Sequence, residues 1–217
     1  PQAPSMLPEA LSASAYRSLL ACPYQFYAQY MLGVKAPHSL EEGVEKRDFG
    51  SWLHQILFEF HTQAQQSAPE NRAALLLQIS ENYFAPILQA SPQALGFSVR
   101  WRNVLDAYIA WDAEHRVQGW EFSEGEIERQ VTLPLVHGNL RLHGRIDRID
   151  RHPEHGVAVL DYKANALSKL NKKIQDREDI QLAFYALLSQ AQAAEFVALE
   201  PERAKIGGAS LHEVAQA

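Results

Sequence analysis

Residues 144–163 constrain the fold most, because two stretches rich in β-forming residues flank a short polar segment. This pattern predicts a β-hairpin. A turn centred near Pro153 and Glu154 would place Asp147 opposite or next to Asp161. Like charges that face each other across a sheet are destabilising. A divalent cation held between the two carboxylates is the simplest way to keep them there, so the segment predicts a cation site.

The same hairpin places a carboxylate and an ammonium on one face. Side chains alternate along a strand, so Val159, Asp161 and Lys163 share a side. Hydrolysis of a phosphodiester needs an activated water and neutralisation of charge, and Mg²⁺ held by two carboxylates supplies both. A lysine on that face can orient the water or stabilise the developing charge. An Asp-x-Lys sequence is common by itself, so the hairpin context carries this interpretation.

An amphipathic helix is predicted over residues 48–65, because apolar side chains recur there with helical spacing. The stripe consists of Phe49, Trp52, Leu53, Ile56, Leu57 and Phe60. His54 lies on its flank, one turn after Gly50, which would let a ligand or another backbone approach closely. From the residues alone, His54 is either an ordinary histidine at the edge of the core or a ligand.

The other segments alternate between helix, strand and loop signals. Further helices are predicted over 13–21, 23–32, 70–90, 99–118 and 180–194, strands over 126–136, 140–150, 157–162 and 195–199, and loops over 34–47 and 164–179. Residues 200–217 show no single pattern.

These elements predict an α/β fold, in which a short mixed sheet with an antiparallel meander at its centre is flanked by helices. We expect a helical insertion at about 61–119 and the core at about 120–199. Residues 1–10 are interpreted as a linker or domain lead, and 11–217 as a single domain of a longer protein.

The composition argues against several classes of protein. No run of about 18 apolar residues without charges is present, so no membrane-spanning helix is expected, and the start of the chain lacks the pattern of a signal peptide. Cys22 is the single cysteine, which excludes an internal disulfide framework. A net charge of −6 argues against a non-specific nucleic-acid binder, which is usually basic, but leaves room for an enzyme with a local basic strip.

Five stretches, in order along the chain, carry a resemblance to a known family. They are residues 11–14 with 22–27, 50–54, 144–150, 161–163 and 181–185. They resemble the motifs of the PD-(D/E)XK nuclease superfamily, and within it the RecB-like branch. That branch occurs at the ends of helicase–nuclease proteins and in free-standing exonucleases. The resemblance implies a restriction-endonuclease-like core.

The resemblance also implies roles for individual residues. His54 matches a histidine that binds the metal, and Asp147 and Asp161 match the metal-binding acids. The main-chain carbonyl of Tyr162 matches a further metal ligand. Lys163 matches the catalytic lysine, and the expected metal is Mg²⁺ or Mn²⁺.

Gln181 and Tyr185 match the helix that borders the site in this family, where it contacts DNA or positions the lysine. Their spacing of four residues places both on one helical face. For Tyr185, an ordinary core aromatic is the alternative.

Relatives of this kind often have an acid just before the meander, and Glu126 and Glu128 both qualify. We favour Glu128 of the two as a metal-associated residue, although a charged strand edge would also explain them. Arg145 and Arg148 are expected to pair with carboxylates or with phosphate.

Three lysines follow the hairpin, and we expect them to contact phosphate or to belong to a solvated loop. They are Lys169, Lys172 and Lys173.

Some RecB-like relatives hold an iron–sulfur cluster with four cysteines, but no cysteine follows Cys22 here. The sequence therefore predicts no such cluster, and Cys22 is interpreted as a small buried residue.

The resemblance implies a metal-dependent DNA nuclease of the exonuclease type, acting in DNA repair or recombination in the bacterial cytoplasm. A helicase domain or subunit is the expected partner besides DNA. A catalytically silent, nuclease-like DNA-binding module and a metal hydrolase that acts on other substrates are the alternatives.

Overall fold

The computed structural model describes residues 6–34, 46–136, 138–176, 179–200 and 205–211. Predictions that concern residues 1–5, 35–45, 137, 177–178, 201–204 and 212–217 lie outside the described residues. In the described part no helix is long and apolar enough to cross a membrane.

Six strands of the described chain form one mixed sheet. They are β1 (Ala10–Leu11), β2 (Glu121–Leu135), β3 (Gly138–His152), β4 (Gly156–Lys163), β5 (Ala193–Glu200) and β6 (Lys205–Leu211). The order is β1-β3-β4-β5-β6, and β2 also pairs with β3. β4 and β5 are parallel, as are β1 and β3, and the other pairs are antiparallel.

The predicted hairpin is formed by β3 and β4. Their ladder runs from His152 opposite Gly156 to Arg148 opposite Leu160. One further step in the same register brings Asp147 opposite Asp161. The predicted mixed sheet with its antiparallel meander β2-β3-β4 is therefore confirmed.

Helices cover both faces of the sheet. They are α1 (Ala13–Ala21), α2 (Pro23–Phe26, continued by a π-helical turn Tyr27–Met31), α3 (Lys46–Ala64), α4 (Arg72–Ala90), α5 (Leu95–Arg102), α6 (Leu105–Val117), α7 (Leu167–Gln175) and α8 (Gln181–Ser189). Ser12 caps α1 by accepting a hydrogen bond from Ala15 N at 3.2 Å, as Ser commonly does.

Two hydrophobic cores result, one on each face. The first packs α1, α2, α7 and α8 against the sheet and includes Val159 of β4. The second packs α3 to α6 on the other face and includes Leu160 and Tyr162. Alternation along β4 thus sends odd-numbered side chains towards α8 and even-numbered ones towards α3 to α6.

Two predicted elements were wrong. The helix predicted over 99–118 is divided at Asn103 and Val104 into α5 and α6. Val104 is fully buried and Trp101 and Tyr108 join the same core, so the apolar spacing continues across the break and hides it.

The second error is the loop predicted over 164–179, where α7 forms instead. Leu167, Leu170 and Ile174 pack on the first core and give this lysine-rich segment one apolar face. Glu200 accepts a hydrogen bond from Leu167 N at 2.6 Å and so satisfies the start of the helix.

Candidate active site

Three side chains from three different elements converge beside the hairpin. They are His54 of α3, Glu126 of β2 and Asp147 of β3, and each offers a ligand atom within 4.8 Å of the others. His54 Nδ1 lies 3.4 Å from Asp147 Oδ1 and 3.8 Å from Glu126 Oε1. Imidazole and carboxylate groups are common ligands of divalent metals.

The apolar stripe of α3 brings His54 to this place. Leu53 and Leu57 are buried against the sheet, and His54 follows on the flank that faces β3. A Cβ added at Gly50 would meet no described atom within 4 Å outside its own helix and its chain neighbours. Among the described residues no other segment packs against Gly50, which lines a cavity at the site.

The structure brings Glu126, and not the favoured Glu128, to His54 and Asp147. Both glutamates point to the same side of β2, since side chains alternate, but they lie about 7 Å apart along the strand. Glu126 lies between the pairs Gly125–Arg148 and Ile127–Ile146 of the ladder, which places it across from Asp147. Glu128 lies opposite Arg145.

The environment of Glu126 fits a bound cation. Its Oε1 is buried and has no hydrogen-bond partner among the described residues, while Oε2 pairs with Arg145 Nε at 3.1 Å. Its φ is +46°, a conformation that costs a non-glycine residue on the order of 1–3 kcal/mol and clusters at functional sites. A lone buried carboxylate oxygen beside an imidazole and a second acid is a suitable donor set for a hard divalent metal.

The main chain of Tyr162 connects two of these groups. Its N–H donates to Asp147 Oδ2 at 2.9 Å, and its carbonyl accepts from His54 Nε2 at 3.2 Å. The carbonyl predicted as a metal ligand thus lies at the edge of the three-residue group.

Asp161 lies beside that group but is engaged differently. Its Oδ2 forms an ion pair with Lys163 Nζ, and its Oδ1 accepts from Gln181 Nε2 at 2.6 Å. Gln181 Nε2 also lies 3.3 Å from Tyr185 Oη. Gln181 therefore contacts the site directly through Asp161, and Tyr185, the other α8 residue predicted to border the site, contacts Gln181.

A glycine makes room for Tyr185. A Cβ at Gly144 would lie 2.9 Å from Tyr185 Cε1, which is closer than real Cβ contacts. Gly144 of β3 therefore allows the ring to lie against the sheet next to the site, a role that no local sequence pattern indicates.

The protonation of the site is set by burial. Burial raises the pKa of Asp147 well above its usual range, and the charge of Asp161 adds to this. Burial also raises the pKa of Asp161, although Lys163 opposes it. Burial lowers the pKa of His54. A divalent cation would offset the energy of ionising these buried acids, so the residues fit the metal that the sequence predicts.

Two cavities of about 920 and 820 Å³ meet at this site. Both are lined by Ser51, His54, Arg145 and Lys163. The larger one also has a basic and aromatic lining, which includes Arg47, Arg100, Lys169, Tyr83 and Phe97. Lys172 and Lys173 are exposed on α7 and line neither cavity.

The sequence pattern of the PD-(D/E)XK nuclease superfamily matches residues 10–215, nearly the whole chain. The chain belongs to the PD-(D/E)XK nuclease superfamily. This confirms the resemblance found in the five motifs, and the six-stranded mixed sheet agrees with the restriction-endonuclease-like core expected for this superfamily.

Individual relatives are more distant. An uncharacterized protein of Rickettsia bellii is 24% identical over 75% of this chain and 20% of its own length. A subunit of an ATP-dependent helicase/deoxyribonuclease of Clostridium acetobutylicum is 27% identical over 81% of this chain and 17% of its own length. The chain thus spans about a fifth of the length of the curated relatives it matches. The crystal structure of SSO0001 covers 80% of this chain and 71% of its own at 16% identity, with a TM-score of 0.34.

Cys22 differs from its predicted environment. It is half-buried at the junction between α1 and α2, where its N–H donates to Ser18 O at 2.9 Å. The extended backbone needed between two helices keeps the thiol at the edge of the core rather than inside it.

Proposed function

We propose that this domain hydrolyses phosphodiester bonds of DNA with the help of Mg²⁺ or Mn²⁺. The observation that carries the proposal is the convergence of His54, Glu126 and Asp147 beside the paired Asp161 and Lys163. Family membership supports a nuclease, and the site has the donor atoms and the cationic group that this chemistry requires.

The metal would be held by the side chains of His54, Glu126 and Asp147, with the carbonyl of Tyr162 and the carboxylate of Asp161 beside them. When bound, it would supply a Lewis acid for the phosphate and lower the pKa of an attacking water. The chain itself contributes ligands that are already positioned, since Tyr162 N–H fixes Asp147 and the carbonyl of Tyr162 orients His54.

Lys163 acts as a fixed positive charge in this scheme. Burial opposes its protonation, but the charge and hydrogen bond of Asp161, together with the charge of Asp147, raise the pKa of Lys163 above its ordinary value. The ammonium can then stabilise negative charge that develops on the phosphoryl oxygens. Gln181 holds the other oxygen of Asp161 and so keeps the carboxylate oriented towards the lysine.

The two cavities provide a path for the substrate through the site. In a chain with a net charge of −6, the larger cavity gathers Arg47, Arg100, Arg145 and Lys169. Such a local basic strip suits a phosphate backbone, and Tyr83 and Phe97 offer aromatic surfaces to unpaired bases. Lys172 and Lys173, on the exposed side of α7, would contact only flanking phosphates.

The setting of this activity is proposed from the relatives. One of them is named as a subunit of an ATP-dependent helicase/deoxyribonuclease. A helicase in the same protein or complex would deliver strands to the domain, which fits an exonuclease of DNA repair or recombination in the bacterial cytoplasm.

Cleavage of end-labelled single- and double-stranded DNA with Mg²⁺, Mn²⁺ or EDTA tests the proposal. Wild type should cut only with metal, and Lys163→Ala should cut at least about 100-fold more slowly, as when a transition-state donor is removed. Arg102→Ala is the control and should cut like wild type, because Arg102 pairs with Glu81 on an exposed surface and lines neither large cavity. Metal-independent DNA binding without cleavage under any divalent metal would instead indicate a silent DNA-binding module and would refute the nuclease.

A further inference from the structure

Tyr162 connects the candidate metal centre to a buried polar network in the second core. Its main chain contacts Asp147 and His54 on the side of the metal centre. Its side chain enters the second core and is 3% exposed. The phenol oxygen lies 2.8 Å from Tyr108 Oη and 3.3 Å from Arg148 Nη1.

Arg148 is the centre of this network and is 1% exposed. Its Nε and Nη2 each donate to Asp150 at 2.7 Å, a bidentate pair. Its Nη1 donates to His61 Nε2 at 2.8 Å and lies 3.3 Å from Tyr108 Oη. We call Arg148, Asp150, His61, Tyr108 and Tyr162 the Arg148 network.

Further buried groups complete the charge balance around the Arg148 network. Asp112 lies 3.5 Å from Arg148 Nη1 and pairs with Arg72 at 2.8 Å. His115 lies 2.8 Å from the second oxygen of Asp150. Buried ion pairs of this kind are weak evidence for stability, because well-packed apolar residues can often replace them without loss of stability. One attested role of such pairs is to specify a single arrangement of the elements that carry them.

The positions of these residues in the chain suggest which elements the Arg148 network arranges. Three elements that carry a metal-ligand candidate also supply a member of the network close by. On β3, Asp147 is followed directly by Arg148. On α3, His61 lies seven residues, or two turns, after His54. On β4, the carbonyl and the phenol belong to Tyr162 itself.

We propose that the Arg148 network is a positioning device for the metal centre. It fixes α3, β3 and β4 relative to one another from within the second core, and so sets the separation of His54, Asp147 and the Tyr162 carbonyl. The side chains of its members act as positioning groups and not as catalytic groups, because they are buried in the second core, and of them only Tyr162 also lines a cavity. This inference rests on the proposed metal centre.

Two variants remove single hydroxyl groups from the network without removing a ring. Tyr162→Phe and Tyr108→Phe should each weaken the binding of Mn²⁺ by about 10-fold, as mutations of residues that orient metal ligands commonly do. Calorimetry without DNA measures this affinity. Cleavage by both variants should approach the wild-type rate when Mn²⁺ is raised to saturation, because the ligands themselves are intact.

Ser80→Ala is the matched control for a purely structural role. Ser80 Oγ accepts from Trp101 Nε1 at 2.8 Å in the same core, but it belongs to α4 and bonds to none of the ligand-bearing elements. It should lower the unfolding temperature as the two tyrosine variants do, and leave the affinity for Mn²⁺ unchanged.

Two outcomes separate this inference from the proposed function. If Tyr162→Phe and Tyr108→Phe lose stability like Ser80→Ala and bind Mn²⁺ like wild type, the network is only structural and the inference is wrong. If wild type binds no Mn²⁺, or if His54→Ala binds it equally well, the metal centre itself is wrong and the inference fails with it.

Discussion

Gln181 Nε2 donates to Asp161 Oδ1 at 2.6 Å, which leaves the other oxygen of this buried carboxylate to Lys163. The helix α8 therefore does more than border the site. It fixes the acid that in turn holds the lysine, and loss of this link should be visible in the rate of cleavage.

Gln181→Ala should lower the rate of DNA cleavage at saturating metal by about 10-fold, because a buried carboxylate oxygen loses its hydrogen-bond donor. Single-turnover kinetics measures the effect on the chemical step. Gln175→Ala, on the exposed side of α7, is the control. Equal rates for the two variants would show that Asp161 does not need Gln181.

Glu126→Gln should raise the Mg²⁺ concentration for half-maximal cleavage at least about 10-fold, since a carboxylate ligand is replaced by a neutral amide. Glu128→Gln, two residues along the same strand face, should change it little. A titration of activity against Mg²⁺ measures both. The opposite order of effects would mean that Glu128 is the metal-associated acid.

Arg100→Ala should reduce the dependence of DNA binding on salt, because Arg100 lines the larger cavity. The slope of log K against log salt should fall by about 0.7 for one lost phosphate contact with a single strand. Fluorescence anisotropy with labelled single-stranded DNA in EDTA measures it.

Arg102→Ala is the control for Arg100, from the same helix. Arg102 pairs with Glu81 at 2.9 Å on an exposed surface and lines neither large cavity. The same slope for both variants would exclude the larger cavity as the DNA path.

His61 should make the protein less stable in acid. Burial first, and then the charge of Arg148, lowers the pKa of His61 well below 6.5 in the folded state. In the unfolded state it takes up a proton near pH 6.5. The unfolded state therefore binds more protons below about pH 6.5, and the free energy of unfolding falls there by up to about 1.4 kcal/mol per pH unit.

Urea unfolding of wild type and His61→Gln at pH 7.5 and 5.5 checks the direction in which stability changes with pH. The variant should lose less stability than wild type between the two pH values, even if it is less stable at both. His143→Gln, at an exposed position of β3, should keep the wild-type dependence. A wild-type pH dependence in His61→Gln would contradict the prediction.

The hairpin and its two acids could be predicted from the sequence because they depend on local alternation and on one short turn. The register follows from the position of the turn, and one step beyond Arg148–Leu160 brings Asp147 opposite Asp161. The apolar stripe of α3 was equally visible. It placed His54 on a flank, and the resemblance to the family chose between its two interpretations.

Other features depend on contacts that a local pattern does not contain. Glu126 and Glu128 share a strand face, so only the ladder with β3 distinguishes them. The basic composition of α7 hid the three apolar residues that pack it. The Arg148 network joins residues as far apart as His61 and Arg148, 87 positions along the chain, and no spacing in the sequence indicates it.

The most direct test of the proposed metal centre is the position of Mn²⁺ in crystals of the protein, located by its anomalous scattering. We predict a peak within bonding distance of His54, Glu126 and Asp147, adjacent to the Tyr162 carbonyl and absent from crystals of Asp147→Ala. A peak bound by Glu128 and not by Glu126, or no peak at this site at saturating Mn²⁺, would contradict the central claim that these residues form the metal centre.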